Sequence, residues 1–499
     1  MATQAAIADA WRSGHAREVR MLAALQRNLI PLIVATALFM ANLDATVLST
    51  SLPAIARDLG INPIHLKLAL TSYLLALAVF IPASGWVADR FGAKTVFRAA
   101  MIVFALGSIA CGFASDLSSL VAARVLQGMG GAMMMPVGRL LVWRTVPRTE
   151  MINAAAWLTI PALIGPVLGP LLGGFITTYF NWRWIFWINI PVAILGVALI
   201  TRFIPDVRED APGQFDLKGF ALLGPGLSLF LSGATLLGLD LAPAPYVAAL
   251  LVVGAGLLVS YVFHALANDA PLIDLRLLRI PTFRAGLLGG FLFRIGIGAI
   301  PFLLPLLLQL GFGMTAFQSG ALTFATGIGA MVMKTQAARL LRRYGYRRIL
   351  VTNALVAGVF SAVPALFSEI TPNLVMIAIF LAGGLSRSLQ FTSINTISFA
   401  DIPNEKLSRA TSFAAVGQEL SGAVGVSIAA LGLEVMMRVY GEQITAVDHF
   451  PPVFIAIAII SMASVFIFMQ LSPNAGADLL ETKEARSARA DADAPHQTS

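Results

Sequence analysis

Fourteen stretches of about 20 apolar residues, nearly free of charge, decide what this 499-residue chain can become. A helix needs about 20 such residues to cross a hydrocarbon core, where every backbone N–H and C=O must be satisfied within the segment. The stretches run approximately over 29–51, 64–86, 95–114, 118–141, 152–177, 184–203, 217–238, 245–267, 285–308, 315–337, 349–368, 372–396, 410–433 and 452–471. None alternates with period two, so a β-barrel is not expected. The fold class is therefore an all-α polytopic membrane protein. Only 12% of residues are charged, where a soluble domain carries roughly 25%. That excludes a soluble enzyme, a disordered chain and a nucleic-acid binder, even at a net charge of +8. Cys111 is the one cysteine, so intrachain disulfides and cysteine-based zinc sites are excluded too.

Basic residues orient the spans. With the N-terminus inside, 26 of the 34 Lys and Arg fall in cytoplasmic segments. Four (Arg57, Lys67, Arg183, Arg438) fall on the opposite face, and four (Arg124, Arg294, Lys334, Arg387) fall inside spans. That asymmetry fits the positive-inside rule and puts both termini in the cytoplasm. Residues 1–27 hold no signal peptide; apolar residues among arginines there fit a short interfacial helix or a loose tail. Residues 473–499, rich in Ala, Asp and Arg, read as a disordered cytoplasmic tail.

An internal repeat organises the spans. Gly85-Trp86-Val87-Ala88-Asp89-Arg90-Phe91-Gly92-Ala93-Lys94 stands between spans 2 and 3. A matching turn around Tyr344-Gly345-Tyr346-Arg347-Arg348 stands between spans 10 and 11. Each follows the second span of a six-span set if spans 7 and 8 are an insertion. The layout is then 6+2+6: a bundle over 28–203, a linker with two inserted helices over 204–267, and a second bundle over 268–472. Repeated halves about a central cavity are the build of secondary transporters.

At these residues the chain resembles the major facilitator superfamily. The turn at 85–94 is similar to that family's signature loop. Leu43-Asp44-Ala45-Thr46-Val47, with Leu52-Pro53, resembles the first-helix motif of 14-spanner drug:proton antiporters of the EmrB/QacA type. Arg124-Val125-Leu126-Gln127-Gly128 resembles the fourth-helix motif. Gly165-Pro166-Val167-Leu168-Gly169-Pro170-Leu171-Leu172-Gly173-Gly174 resembles the fifth-helix motif of exporters. Asn181-Trp182-Arg183 and Asn189-Ile190-Pro191 also fit. The resemblance covers about 29–470 and implies the major facilitator fold, a monomer and a bacterial inner (plasma) membrane. Departures are Ala93, where the loop usually has a basic residue, and Ser49, where the first helix often has Asn.

Several residues then carry expected roles. A carboxylate at Asp89 can accept hydrogen bonds from helix N-termini or pair with a base across the two halves. The resemblance implies a latch of Gly85, Asp89, Arg90, Gly92 and Lys94. Pro166 and Pro170 with Gly165, Gly169, Gly173 and Gly174 imply a gating hinge; ordinary small-residue packing is the alternative. Intramembrane charges are costly and functional by default. At ~1.5 Å per residue, Asp44 lies roughly 10 Å from the outer end of its helix and Arg124 roughly 9 Å, so they share a level. The expected role is proton coupling by Asp44 as it trades Arg124 for a proton; a static ion pair is the alternative. Arg294, Arg387 and Glu419 each lie about nine residues from an inner helix end, which suggests a second cluster, either structural or a subsite for anionic or zwitterionic groups. Tyr73, Gln309 and Asn395 are candidate cavity linings.

The expected function is proton-coupled export of small amphipathic molecules or drugs by alternating access. The alternatives are export of one anionic or zwitterionic metabolite, or proton-coupled import on the same fold. The five histidines lie near span ends or outside, and no phosphate-binding loop or nucleophile motif occurs. Neither an enzyme, a metal site, a cofactor nor an ATP-driven pump is expected. The expected partners are substrate, protons and the lipid bilayer, with no nucleic acid. A periplasmic adaptor is compatible with this reading but no motif specifies one.

Overall fold

The computed structural model describes residues 29–146, 151–205, 213–239, 241–441 and 446–479. The expectations for 1–27 and for most of the tail lie outside them. Fourteen long helices follow in order. They are α1 (29–47), α2 (Lys67–Phe91), α3 (Ala93–Gly112), α4 (Leu117–Thr145), α5 (Met151–Tyr179), α6 (Asn189–Phe203), α7 (Leu217–Leu236) and α8 (Ala244–Ala267). Then come α9 (Pro281–Gly311), α10 (Ala316–Tyr344), α11 (Tyr346–Ala362), α12 (Asn373–Ile397), α13 (Leu407–Tyr440) and α14 (Phe450–Phe468). Thirteen helical segments are long and apolar enough to cross a membrane, and α5 adds the apolar stretch Leu163–Tyr179. The helices overrun the apolar stretches at several ends: α13 begins three residues before its stretch and ends seven after it. Polar ends of membrane helices lie in the headgroup region, beyond what hydropathy registers.

The repeat is built into the backbone. Gly92 ends α2 at φ +89° and Gly345 ends α10 at φ +75°, and in each case the next helix begins one residue later. L-residues rarely adopt that region, and glycine enters it freely. Gly85, by contrast, lies inside α2, and a Cβ there would meet nothing within 4 Å. Of the two motif glycines, Gly92 makes the tight turn and Gly85 takes no part in it. With ψ at 130° Gly92 lies outside the left-handed helical region as well, so Gly92→Ala should lower thermal stability by about 1–3 kcal/mol. Gly85→Ala should leave it unchanged or raise it by up to ~1 kcal/mol. Unfolding of both variants in lipid nanodiscs checks the contrast.

Two seams join α1–α6 to α9–α14: α2 lies along α13 and α5 along α10. The repeat relates them, since it maps α2 onto α10 and α5 onto α13. The inserted hairpin α7–α8 packs on α2 and touches α13. Asp216 clips it in place. Its carboxylate accepts from the N–H of Gly219 at 2.9 Å and of Leu272 at 3.1 Å, and lies 2.7 Å from His264 Nε2. Burial alone would raise the Asp216 carboxyl, but those hydrogen bonds outweigh it and hold it below the usual carboxylate range. A lowered carboxyl contributes stability above its unfolded pKa of about 4 and loses it as pH falls through the folded value. Asp216→Ala should thus cost about 0.5–2 kcal/mol at pH 7, and the gap from the parent should shrink on acidification below about pH 4.

Residues 473–479, expected as the start of a disordered tail, are ordered against the second bundle. Ala477–Leu479 forms a short turn, and Gly476 at φ +72° sits so close to Ile397 and Tyr346 that a Cβ would clash. An apolar anchor, invisible in an Ala- and Asp-rich composition, holds it there.

Candidate functional site

Asp44 is 1% exposed and its carboxylate is fully engaged. Arg124 Nη1 donates to Asp44 Oδ2 at 2.6 Å. Gln127 Nε2 and Asn189 Nδ2 donate to Oδ1 at 2.8 and 2.9 Å. Ser108 Oγ accepts from Gln127 Nε2 at 2.7 Å. Arg124 also donates from Nη1 to Gln127 Oε1 at 2.6 Å and from Nε to the Ala69 carbonyl, and its guanidinium lies 4.2 Å from the Tyr73 ring centroid. Five helices (α1, α2, α3, α4 and α6) thus converge on one buried charge pair. A buried pair of this kind is stable only when its remaining lone pairs and protons are satisfied, as here. Chemically, the carboxylate has two alternative charge partners, the guanidinium or a proton.

The depth arithmetic placed Asp44 and Arg124 together, and they are in contact. Gln127, Asn189 and Ser108 were not assigned roles from sequence. Gln127 was findable, because it lies one turn after Arg124 on the same helix face. Ser108 carries no local signal. Tyr73 is packed beneath Arg124 and is 3% exposed, so it is a wall of this network.

The signature loop binds within its own half. Arg144 Nη2 of α4 donates to Asp89 Oδ1 at 2.7 Å, rather than a base reaching across halves. Lys94 Nζ donates to the Thr201 carbonyl at the end of α6, and Trp86 Nε1 to the Gly213 carbonyl ahead of α7. Arg90 is exposed. The loop therefore ties α2 to α4, ties α3 to α6, and docks the linker.

The fifth-helix motif does not break its helix. α5 runs unbroken from Met151 to Tyr179 through Pro161, Pro166 and Pro170. Its glycines are contact points. A Cβ at Gly165, Gly169 or Gly173 would strike α1 or its immediate continuation at Phe39, Thr46 or Val47, and one at Gly174 would strike the Ala316 carbonyl at the start of α10.

The second-half charges are not one cluster. Arg294 Nη2 donates to Asn395 Oδ1 at 2.8 Å, and its guanidinium lies 5.0 Å from the Phe391 ring centroid. Glu419 interacts electrostatically with Arg294. Arg387 instead faces a small recess of about 20 Å³ among α9, α10, α11 and α12, lined by Thr326, Phe360 and Ser361. Equal depth along four helices does not set the direction each side chain takes around its own helix. Gln309 of α9 is drawn to the other half, where its Nε2 donates to the Thr50 carbonyl at 2.9 Å.

Lys67, read from sequence as a loop charge, is fully buried in the first turn of α2 and lies 3.9 Å from Glu434 of α13. That pair, Gln309–Thr50 and the Phe317 N–H to Thr178 Oγ1 bond at 2.9 Å are the polar side-chain contacts between α1–α6 and α9–α14 among the described residues. All three lie at the end away from the basic turns.

The profile of the Major Facilitator Superfamily matches residues 34–426 and, overlapping, 286–492. MdtD of Salmonella dublin, a protein named for multidrug resistance, is 39% identical over 469 residues, 91% of this chain and 97% of its own. MdtD of Salmonella typhimurium is 38% identical over the same length. Among solved structures, a D-xylose-proton symporter superposes with a TM-score of 0.65 at 14% identity, covering 90% of this chain and 98% of its own. The nucleoside transporter NupG does so with a TM-score of 0.56 at 14% identity, covering 89% and 98%. These structural likenesses speak to the fold alone. The chain is a multi-pass membrane transporter, not an enzyme, and it belongs to the major facilitator superfamily.

Proposed function

We propose that the chain is a proton-coupled antiporter that exports small amphipathic molecules across a bacterial inner membrane, with its basic face and both termini in the cytoplasm. One observation carries the coupling: a carboxylate within a membrane-spanning helix, Asp44, is buried and held by Arg124, Gln127 and Asn189. A proton reaching Asp44 would release Arg124 from its ion pair. That changes which helices α1 and α4 hold, and so ties proton entry to rearrangement of the half. The cross-half contacts close the face opposite the basic turns, which supports reading this arrangement as inward-facing. Export as the direction is supported by the resemblance of α5 to exporters and by relatives named for multidrug resistance.

The test is efflux from proteoliposomes under an imposed pH gradient, screening cationic and anionic amphiphiles. The expected result is gradient-dependent movement of at least one compound, abolished by a protonophore. Movement insensitive to the gradient would overturn the coupling. Uptake in the direction of the protons would overturn the direction.

A further inference from the structure

α9 and α13 start at the same face and run the same way. Their backbones meet where a Cβ on Gly298 would lie 2.7 Å from Gly422 Cα and one on Gly425 would lie 2.2 Å from the Ile295 carbonyl. Arg294 stands one turn before Gly298, and Glu419 stands three residues before Gly422, so both leave their helices at one level beside this crossing. Their environments differ from that of Asp44 and Arg124. Arg294 gives Nη2 to Asn395 and rests over Phe391, and its buried Nε has no hydrogen-bond partner. Glu419 is half-buried, and among the described residues no hydrogen bond and no ion pair within 4.0 Å reaches its carboxylate. Three residues on, along the same face of α13, a Cβ on Gly422 would lie 3.4 Å from Leu74 Cδ1 of α2, so this face looks across the seam to the other half.

Opposite charges inside a membrane protein gain most by closing into contact. These two do not close within 4.0 Å; the guanidinium is engaged instead by Asn395 and Phe391 of α12. A guanidinium with a spare N–H and a carboxylate with every lone pair free, set apart in an apolar wall, are complementary to a molecule carrying one anionic and one ammonium group. We propose that Arg294 and Glu419 form a binding site for amphipathic zwitterions, with Arg294 taking the carboxylate and Glu419 the ammonium. Asn395 positions Arg294, and Phe391 supplies an apolar face for the linking chain. Asn395→Ala should therefore weaken the carboxylate contact, and Arg294→Lys should not replace a forked donor. The site deepens the transporter reading by naming a substrate class, and it rests on that reading only for its place in the transport path.

The test is calorimetric binding to the purified protein in nanodiscs, with no gradient. The probes are ω-aminocarboxylates of three to eight carbons, each with the carboxylate and the amine of matched length. At least one zwitterion should bind tenfold or more tightly than both of its matched single ions. Arg294→Met should reduce it to the level of the amine, and Glu419→Gln to the level of the carboxylate. If either variant misfolds, Glu419→Asp, which withdraws one charge by a methylene, should shift the optimum to a longer chain. The proposal fails if no zwitterion exceeds its single ions, if both substitutions weaken all three compounds equally, or if Glu419→Asp leaves the optimum unchanged. Loss of proton-driven efflux would leave this binding intact, and loss of this binding would leave proton-driven efflux of other compounds intact, so the two readings fail separately.

Discussion

Asp44→Asn will abolish gradient-driven efflux, and restoring its lost stability will not bring transport back. Asn has nearly the shape of Asp and can still accept from Gln127 and Asn189, which now hold Oδ1 at 2.8 and 2.9 Å. What it lacks is the charge facing Arg124 and the ability to take a proton. Removing one partner of a buried ion pair leaves the other uncompensated, at a cost of about 3–5 kcal/mol. Arg124→Gln alone should cost a similar amount. The double variant Asp44→Asn/Arg124→Gln should recover most of that loss, because no buried charge is left without a partner. Efflux separates the two explanations of the pair. A static structural bridge would be functionally replaced by the neutral double variant, and pumping would return with stability. A coupling carboxylate cannot be replaced, and the double variant should be stable and silent. Measured thermal unfolding beside proteoliposome efflux under a pH gradient decides between them, and a stable double variant that pumps would remove Asp44 from the mechanism.

The reach of sequence reasoning can be seen at Asp44 and at Arg387. Both are charges within apolar stretches, and hydropathy with helical rise places each at a depth. For Asp44 depth was enough, since α1 and α4 lie side by side and Arg124 is the cation at that level. For Arg387 it was not. Direction around a helix depends on how each helix is rotated against its neighbours, and no local pattern records that in a chain that is apolar all round. Arg387 consequently opens on α10 and α11 instead of joining Glu419. Lys67 shows a second limit. Its position at the head of an apolar stretch reads as a loop charge, while the seam between α2 and α13 covers it and sets it 3.9 Å from Glu434. Burial by another half of the chain leaves no trace within either segment. The turn at Gly92 was legible because a positive φ is a local demand that only one residue type meets easily, whereas Gly85 satisfied the motif without any such demand.

The glycines of α5 should divide into two functional groups according to what they touch. Gly173→Ala should do the most damage among those facing the first helix, because its Cβ would lie 2.3 Å from the Val47 carbonyl, and backbone cannot step aside. Gly169→Ala meets Thr46 Oγ1 at 2.0 Å, which can rotate away, and Thr46 Cβ at 2.8 Å, which must give a few tenths of an ångström, while Gly165→Ala meets only contacts of 3.0 Å or more. Overpacking of this kind costs roughly 1–3 kcal/mol. The expected order of loss in both stability and efflux is therefore Gly173 over Gly169 over Gly165. All three press on the stretch of α1 that carries Asp44, so they act on the coupling site within one half. Gly174 is different. Its Cβ would lie 2.3 Å from the Ala316 carbonyl across the seam with α10, beside the Phe317–Thr178 hydrogen bond. Gly174→Ala should prise that seam apart and shift the population toward the arrangement open at the non-basic face. The native thiol, Cys111, is buried, so a cysteine introduced at Thr178 reports opening directly. Faster labelling of that cysteine in Gly174→Ala, with no such rise in Gly173→Ala, is the expected outcome. Equal labelling in both would mean that the motif is one packing stripe with no separate role at the seam between halves.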